Sequence, residues 1–231
     1  MRGLSDQSPT PACWHHAGSA SGYNVGIAYN DFTLDALKQQ FGLGTDERGD
    51  YFADVPPVSI SAALRDHLRD FTRLAFAMGT EKARSELLIM PVLLEAYRQT
   101  GQGFSLSSGV EFTVDFERGL RGVCDFLLSL SPEQLFVEAP VVAVVEAKNE
   151  NIKAGLGQCV AEMLAAQTFN ERPGNAIPTV YGVVTTGSLW TFLRLSGDLV
   201  SVDATEYHIK EVERIVGILV AMVRGAGVSV L

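Results

Sequence analysis

The feature that most constrains the fold is a short apolar run that ends in two charges. Residues 141–145 are Val-Val-Ala-Val-Val, and Glu146, Ala147 and Lys148 follow directly. β-Branched residues without polar alternation are typical of a strand that is buried on both faces. In an extended chain Glu146 and Lys148 point to one side, and their burial costs free energy unless they pair with each other or meet a ligand. The run therefore predicts a central strand with a charged patch at its end.

Two segments upstream are also predicted to be strands. Residues 109–116 alternate between polar and apolar side chains, and residues 119–129 are mainly apolar with Asp125 as the acid inside the strand. The linker at 117–122 is short enough for a hairpin, so we expect three consecutive strands. Neighbouring strands lie about 5 Å apart, so Asp125 and Glu146 meet if the register allows it. Two carboxylates beside a lysine suit Mg²⁺ or Mn²⁺ and the hydrolysis of a phosphodiester.

Asp125, followed on the next strand by Glu146-Ala-Lys148, resembles the signature of the PD-(D/E)xK nuclease superfamily, whose members share the restriction-endonuclease-like fold. Gly122-Val-Cys-Asp125 is similar to the GxxD motif of RecB-type members. Those members often carry a QxxxY motif on the helix that follows the lysine, and Gln158 fits its first position. Glu162 stands here in place of the tyrosine. The resemblance covers about residues 80–195.

The resemblance implies a metal-dependent phosphodiesterase or nuclease that acts on nucleic acid. Lys148 would assist the attacking water. Glu86, on the helix before the three strands, and Gln158 would be auxiliary catalytic residues. The oxygen ligands of Mg²⁺ or Mn²⁺ would come from Asp125, Glu146 and the backbone carbonyl of Ala147.

Other interpretations of the same residues stay open. The chain could be a catalytically silent protein of this fold that binds nucleic acid or a protein partner, since a fold does not fix an activity. Glu146 and Lys148 could form only a structural ion pair. Glu86 could be a surface acid and Gln158 a surface amide. Glu111 and Asp115 are either outer acids of the site or the polar side of an edge strand.

The composition limits the partners and the location. A net charge of −9 without a run of lysine or arginine opposes nucleic-acid binding, which depends on phosphate contacts, although a local basic face remains compatible with it. Of the nucleic acids, we expect DNA rather than RNA. We expect no membrane partner and a cytoplasmic location, because no apolar run is long enough to cross a bilayer and the first residues lack a signal-peptide pattern. Cys13, Cys124 and Cys159 fit neither a zinc site nor a disulfide framework.

The chain divides into three predicted parts: residues 1–23 as a flexible tail, 24–78 as an N-terminal helical addition and 79–231 as an α/β core. This core has a mixed central β-sheet flanked by helices. The tail contains Trp14-His15-His16, which is either a chance histidine pair or a metal-binding segment.

Smaller elements follow from local patterns. We expect residues 44–50 to form a loop, and the helix that starts near Ser59 or Ser61 to bury four apolar side chains: Leu64, Leu68, Phe71 and Leu74. A last helix near 210–223 has one apolar face. That face packs either on the sheet or on a second subunit, as in a homodimer through the C-terminal helix.

Overall fold

A mixed eight-stranded sheet is the centre of the computed structural model, which describes residues 26–172, 175 and 177–227. Its strands are β1 (Gly44–Asp46), β2 (Ser105–Glu111), β3 (Val123–Ser129), β4 (Val141–Ala147), β5 (Val180–Thr185), β6 (Leu189–Ser196), β7 (Leu199–Val202) and β8 (Tyr207–His208). The strand order is β1-β7-β6-β5-β4-β3-β2, and β8 pairs with β6.

Within the described ranges, six α-helices flank the sheet: α1 (Leu34–Phe41), α2 (Ala62–Met78), α3 (Glu81–Arg84), α4 (Met90–Gln99), α5 (Ile152–Glu171) and α6 (Val212–Gly227). Single 3-10 turns span Tyr29–Asp31 and Ile209–Glu211, and a π-helical turn, Ser85–Ile89, joins α3 to α4. Pro91 lies in the first turn of α4, where a missing backbone N–H is tolerated.

The predicted order of strand pairing is confirmed. β2, β3 and β4 form consecutive antiparallel pairs, and α5 connects β4 to the parallel strand β5. β6 returns antiparallel to β5 through a turn in which Gly187 has a φ of 77°. Positive φ is readily adopted only by glycine, which explains the residue at this turn. The fold is therefore α/β with a mixed sheet.

Strand β4 lies at the middle of this structure, and all seven of its residues are buried. One apolar cluster on the sheet includes residues of α2, α4 and α6, and the other includes residues of α1 and α5. The continuous apolar run of residues 141–145 fits this environment, because neither face of the strand reaches water. Helices therefore cover both faces of β4, the strand that carries Glu146 near its end and is followed by Lys148.

Helix α6 packs on its own sheet. The six side chains of its predicted apolar face are all buried: Val212, Ile215, Val216, Leu219, Val220 and Val223. They belong to the same apolar cluster as α4, Val145 and Phe192. This face is therefore not the dimer surface that the sequence left open.

Two local expectations were wrong. Residues 44–46 are not in a loop but form β1, which pairs in parallel with β7, so the segment 24–78 is not purely helical. The pattern Gly-Thr-Asp has no apolar signal, and only pairing at the sheet edge makes it a strand. On α2, Leu64 and Leu68 are buried, but Phe71 and Leu74 are 38% and 48% exposed. Ala75 continues the buried stripe instead, because an α-helix has 3.6 residues per turn and Ala75 lies about two turns after Leu68.

Other expectations are answered in part. Cys124 and Cys159 are buried free thiols. Cys13, the Trp14-His15-His16 segment and the whole predicted tail 1–23 lie outside the described residues. Among the residues that are described, no helix is long and apolar enough to cross a membrane.

Candidate functional site

The acids of β3 and β4 lie opposite each other. Phe126 pairs with Val145 in the antiparallel ladder, which places Asp125 directly across from Glu146. Asp125 Oδ2 accepts a hydrogen bond from the backbone N–H of Ala147 at 2.8 Å. This bond orients the Asp125 carboxylate toward the end of β4. The register on which the sequence prediction depended is therefore present.

Lys148 joins this pair from the residue after β4. Its Nζ donates to Glu146 Oε1 at 2.5 Å and to Gln158 Oε1 at 3.1 Å. Its backbone N–H donates to the carbonyl of Thr185 on β5 at 2.8 Å, so the main chain at this position is held by the sheet. The structure thus brings together four of the predicted site residues: Asp125, Glu146, Lys148 and Gln158.

Helix α5 packs against the end of β4, and its close approach to Lys148 depends on a glycine. A Cβ atom at Gly155 would lie 2.7 Å from Val184 Cγ1 and 3.0 Å from Lys148 Cγ. Because only hydrogen fits there, the first turn of α5 packs against the lysine stem. One turn later Gln158 reaches Lys148, and its amide nitrogen donates to Glu162 Oε1 at 3.1 Å.

Glu162 lies deeper than any of these groups and is fully buried. It occupies the tyrosine position of the resembled QxxxY motif, and the sequence did not assign it a role. Its carboxyl group and that of Glu146 are within hydrogen-bonding reach of each other. Glu146 Oε2 and Glu162 Oε2 both lack a hydrogen-bond partner among the described residues. One proton shared between the two carboxyl groups would satisfy both oxygens.

The electrostatics agree with a shared proton. Burial and the neighbouring charge of Asp125 raise the pKa of Glu146 to about 7, against the lowering effect of Lys148. Burial and the neighbouring Glu146 raise the pKa of Glu162 well above its ordinary value. Burial also raises the pKa of Asp125, against the opposing effects of the Ala147 N–H and Lys148. At neutral pH the acids of this site therefore hold at least part of a proton.

Lys148 remains charged in the same environment. Burial acts to lower its pKa, but the charge of Glu146 and the hydrogen bond to it outweigh burial, so the pKa of Lys148 is raised. The ammonium group is thus a fixed positive charge beside two or three carboxyl groups.

The two glutamates before the strands differ in position. Glu86 lies in the π-helical turn with a side chain that is 64% exposed, where it pairs with Lys82 at 3.6 Å. The structure does not bring it to the other site residues. Glu81, the first residue of α3, instead interacts electrostatically with Lys148 and Asp125, and burial raises its pKa.

The sequence missed Glu81 because its place near Lys148 depends on a contact between segments that are far apart in the chain. Thr80 caps α3 with a hydrogen bond to the N–H of Ala83 at 3.1 Å, and Gly79 accepts one from Asn149 Nδ2 at 3.2 Å. The start of α3 is therefore fixed next to the residue that follows Lys148.

The site contains oxygen atoms of the type that a hard divalent cation prefers. Because the Ala147 N–H points to Asp125, the Ala147 carbonyl points to the same side of the strand, beyond the last pair of the β3–β4 ladder. Asp125, Glu146 and this carbonyl are oxygen donors, and Mg²⁺ commonly uses one or two carboxylates with water. In the ranges that the structure describes, no three histidine, cysteine or acidic side chains form a ready metal cluster. The fit thus depends on two carboxylates and a carbonyl.

No protein-family model, curated protein or solved structure matches this chain. The interpretation of the site therefore depends on its own geometry and on the sequence motif.

Proposed function

We propose that this chain is a metal-dependent phosphodiesterase of the nuclease type, with nucleic acid as its substrate and DNA preferred over RNA. The observation that carries the proposal is the arrangement of Asp125 and Glu146 across the β3–β4 ladder, with Lys148 Nζ bonded to Glu146. A buried carboxylate at Glu146, a half-buried one at Asp125 and an ammonium group at the end of a central strand are costly unless they serve a ligand or a reaction. The motif that these three residues form supports the same conclusion.

The cation would be held by Asp125, Glu146 and the Ala147 carbonyl. When bound, Mg²⁺ or Mn²⁺ supplies positive charge that neutralises phosphate oxygens. Asp125 is oriented for this purpose by the Ala147 N–H, which leaves its other oxygen for the ligand.

Lys148 would act on the water or on the phosphate. An ammonium group has three donor protons, and Glu146 and Gln158 accept two of them. The third proton is available to an attacking water or to a phosphate oxygen, where a fixed positive charge stabilises the transition state. Gln158 is a positioning residue, since it holds Lys148 while Glu162 holds Gln158. Glu81 adds negative charge at the start of α3.

The test is metal-dependent cleavage of mixed single-stranded and duplex DNA and RNA by wild type, Lys148→Ala and Lys153→Ala. Loss of a group that assists proton transfer lowers rates by about 10²–10⁴-fold, so we expect Lys148→Ala to lose at least about 100-fold. Lys153 is exposed on the first turn of α5 and is the matched control, with an expected rate close to that of wild type. Equal rates for Lys148→Ala and wild type, with both folded by circular dichroism, would contradict the proposal.

A non-catalytic module is the second candidate. Glu146 is bonded to Lys148 and faces the buried Glu162, and a raised Glu146 pKa opposes metal binding near neutral pH. In this case the charged group would be a structural ion pair in a protein that binds nucleic acid or a protein partner. Metal-independent binding of nucleic acid without cleavage would favour this candidate.

A further inference from the structure

A cavity with both apolar and polar lining lies at the hairpin that joins β2 to β3. Its volume is about 290 Å³, and it is lined by Ala28, Glu111, Thr113, Phe116, Arg121 and Gly122. Gly122 directly precedes β3 and comes three residues before Asp125. Since a strand rises about 3.3 Å per residue, the cavity begins about 10 Å from Asp125.

The aromatic ring in this cavity is exposed to a degree that packing does not explain. Phe116 has 61% of its surface in contact with solvent. The guanidinium carbon of Arg121 lies 3.9 Å from the centre of its ring. Arg121 is itself held by the carbonyls of Ile27, at 3.0 Å, and of Gly26. A fixed cation covers one side of the ring, and solvent reaches the rest of it.

The hairpin is well ordered by hydrogen bonds, which makes Phe116 a fixed platform. The Leu120 N–H donates to the Asp115 carbonyl at 2.8 Å, and the Val114 N–H donates to the Leu120 carbonyl at 2.9 Å. The Asp115 side chain accepts from the Arg118 N–H at 2.9 Å. A ligand that stacks on Phe116 would thus lose little free energy in ordering the loop.

Glu111 gives the cavity a hydrogen-bond acceptor. It pairs with Val123 across the β2–β3 ladder, so these two side chains project from the same face of the sheet. Thr113 Oγ1 donates to Glu111 Oε1 at 3.3 Å. Val123 is 57% exposed and adds an apolar surface next to Glu111. An acid in the cavity repels phosphate, so the group bound here is not a backbone phosphate.

We propose that this cavity binds one unpaired nucleobase of the substrate, with the base stacked on the face of Phe116 that Arg121 leaves free and Glu111 accepting from its exocyclic amino group. Bases stack on aromatic rings and on guanidinium planes in proteins that bind single strands. Carboxylates accept hydrogen bonds from amino groups, which cytosine, adenine and guanine carry and thymine and uracil lack. The proposal rests on the proposed function, since it gives that site a single-stranded or locally opened substrate.

The test measures binding without metal, so that it does not depend on cleavage. Fluorescence anisotropy in EDTA compares labelled 12-nucleotide oligo-dA, oligo-dC and oligo-dT with a duplex of mixed sequence. We expect oligo-dA and oligo-dC to bind more tightly than oligo-dT and the duplex. Loss of one stacked base weakens binding by roughly five- to 150-fold, so Phe116→Ala should weaken oligo-dC binding by about tenfold or more. Phe116→Trp should bind oligo-dC as tightly as wild type does. Glu111→Gln should remove the preference for oligo-dA and oligo-dC over oligo-dT.

Phe136→Ala is the matched control, because Phe136 is a 73% exposed phenylalanine on the loop between β3 and β4. We expect it to bind as wild type does. Equal affinity of Phe116→Ala and wild type would overturn the proposal, even where metal-dependent cleavage is found. Binding that depends on Phe116 in a protein that never cleaves would instead uphold the cavity and contradict the nuclease assignment.

Discussion

At the scale of single residues, Glu162 adds a buried acid to the charged groups of the site. It is fully buried, faces Glu146 and accepts only from Gln158 among the described residues. A buried carboxyl group without full hydrogen bonding is costly when ionised, and binding a proton relieves that cost. Glu162 therefore links the protonation of the site to the stability of the fold.

This linkage predicts a fall in stability as pH rises. The pKa of Glu146 is about 7 in the folded chain against an ordinary value of 4.5, and that of Glu162 is raised in the same direction. At a pH above the ordinary value of 4.5, the folded state keeps protons that the unfolded state releases. The free energy of unfolding therefore decreases from about pH 5 to pH 8. Glu162→Gln removes one buried acid, so we expect it to stabilise the protein at pH 8 by about 1–3 kcal/mol.

Urea denaturation of wild type and Glu162→Gln at pH 5 and pH 8 measures this effect. Glu171→Gln, an exposed position on the same helix, is the control and should follow wild type. A Glu162→Gln variant that is no more stable than wild type at pH 8 would show that Glu162 is ionised and well solvated by other means.

At the scale of elements, α5 is positioned by glycines on two of its sides. A Cβ at Gly157 would lie 2.1 Å from the carbonyl oxygen of Phe32, and one at Gly155 would contact the stem of Lys148. The segment before α1 thus packs backbone to backbone on α5 and fixes the helix that carries Gln158 and Glu162. Such contacts are rigid because backbone atoms cannot move aside as side chains can.

We therefore expect Gly157→Ala to destabilise the fold by about 2–4 kcal/mol, because the new methyl group overpacks the contact with Phe32. Gly225→Ala on α6 is the matched change, since its Cβ would lie at an ordinary 3.7 Å from Tyr181 Oη. There the higher helix propensity of alanine should stabilise the protein by up to about 1 kcal/mol. Thermal unfolding measures whether Gly157→Ala is less stable, and Gly225→Ala more stable, than wild type. A Gly157→Ala variant as stable as wild type would contradict the close packing.

The elements also show what the sequence could and could not predict. β3, β4 and α5 were predictable because their apolar patterns are strong, and the opposed acids followed from their register. β1 was not, since Gly44-Thr-Asp has no apolar side chain and becomes a strand only by pairing with β7. The place of Glu81 near Lys148 could not be predicted either, because it depends on the contact of Asn149 with Gly79 at the start of α3. The contact of Glu162 with Glu146 requires the distance between helix and sheet, which sequence spacing does not give.

At the scale of the whole molecule, β4 is enclosed by helices on both faces, and the charges are gathered at its end. The net charge of −9 gives the chain little general attraction for nucleic acid. On the proposed function, substrate binding would then come from local features, namely a cation held by Asp125 and Glu146 and the cavity at Phe116. The proposed metal would be the condition for activity and would add to the affinity.

Titration of Mg²⁺ and Mn²⁺ by calorimetry tests this dependence most directly, with wild type, Asp125→Asn and Asp198→Ala compared under the same conditions. Asp125→Asn keeps an acceptor for the Ala147 N–H but removes the charge, whereas Asp198 lies in an exposed turn. We predict that wild type and Asp198→Ala bind the cation and cleave nucleic acid in its presence, and that Asp125→Asn does neither. Equal metal binding by Asp125→Asn and wild type, or none by a folded wild type, would contradict a metal-dependent site at the end of β4.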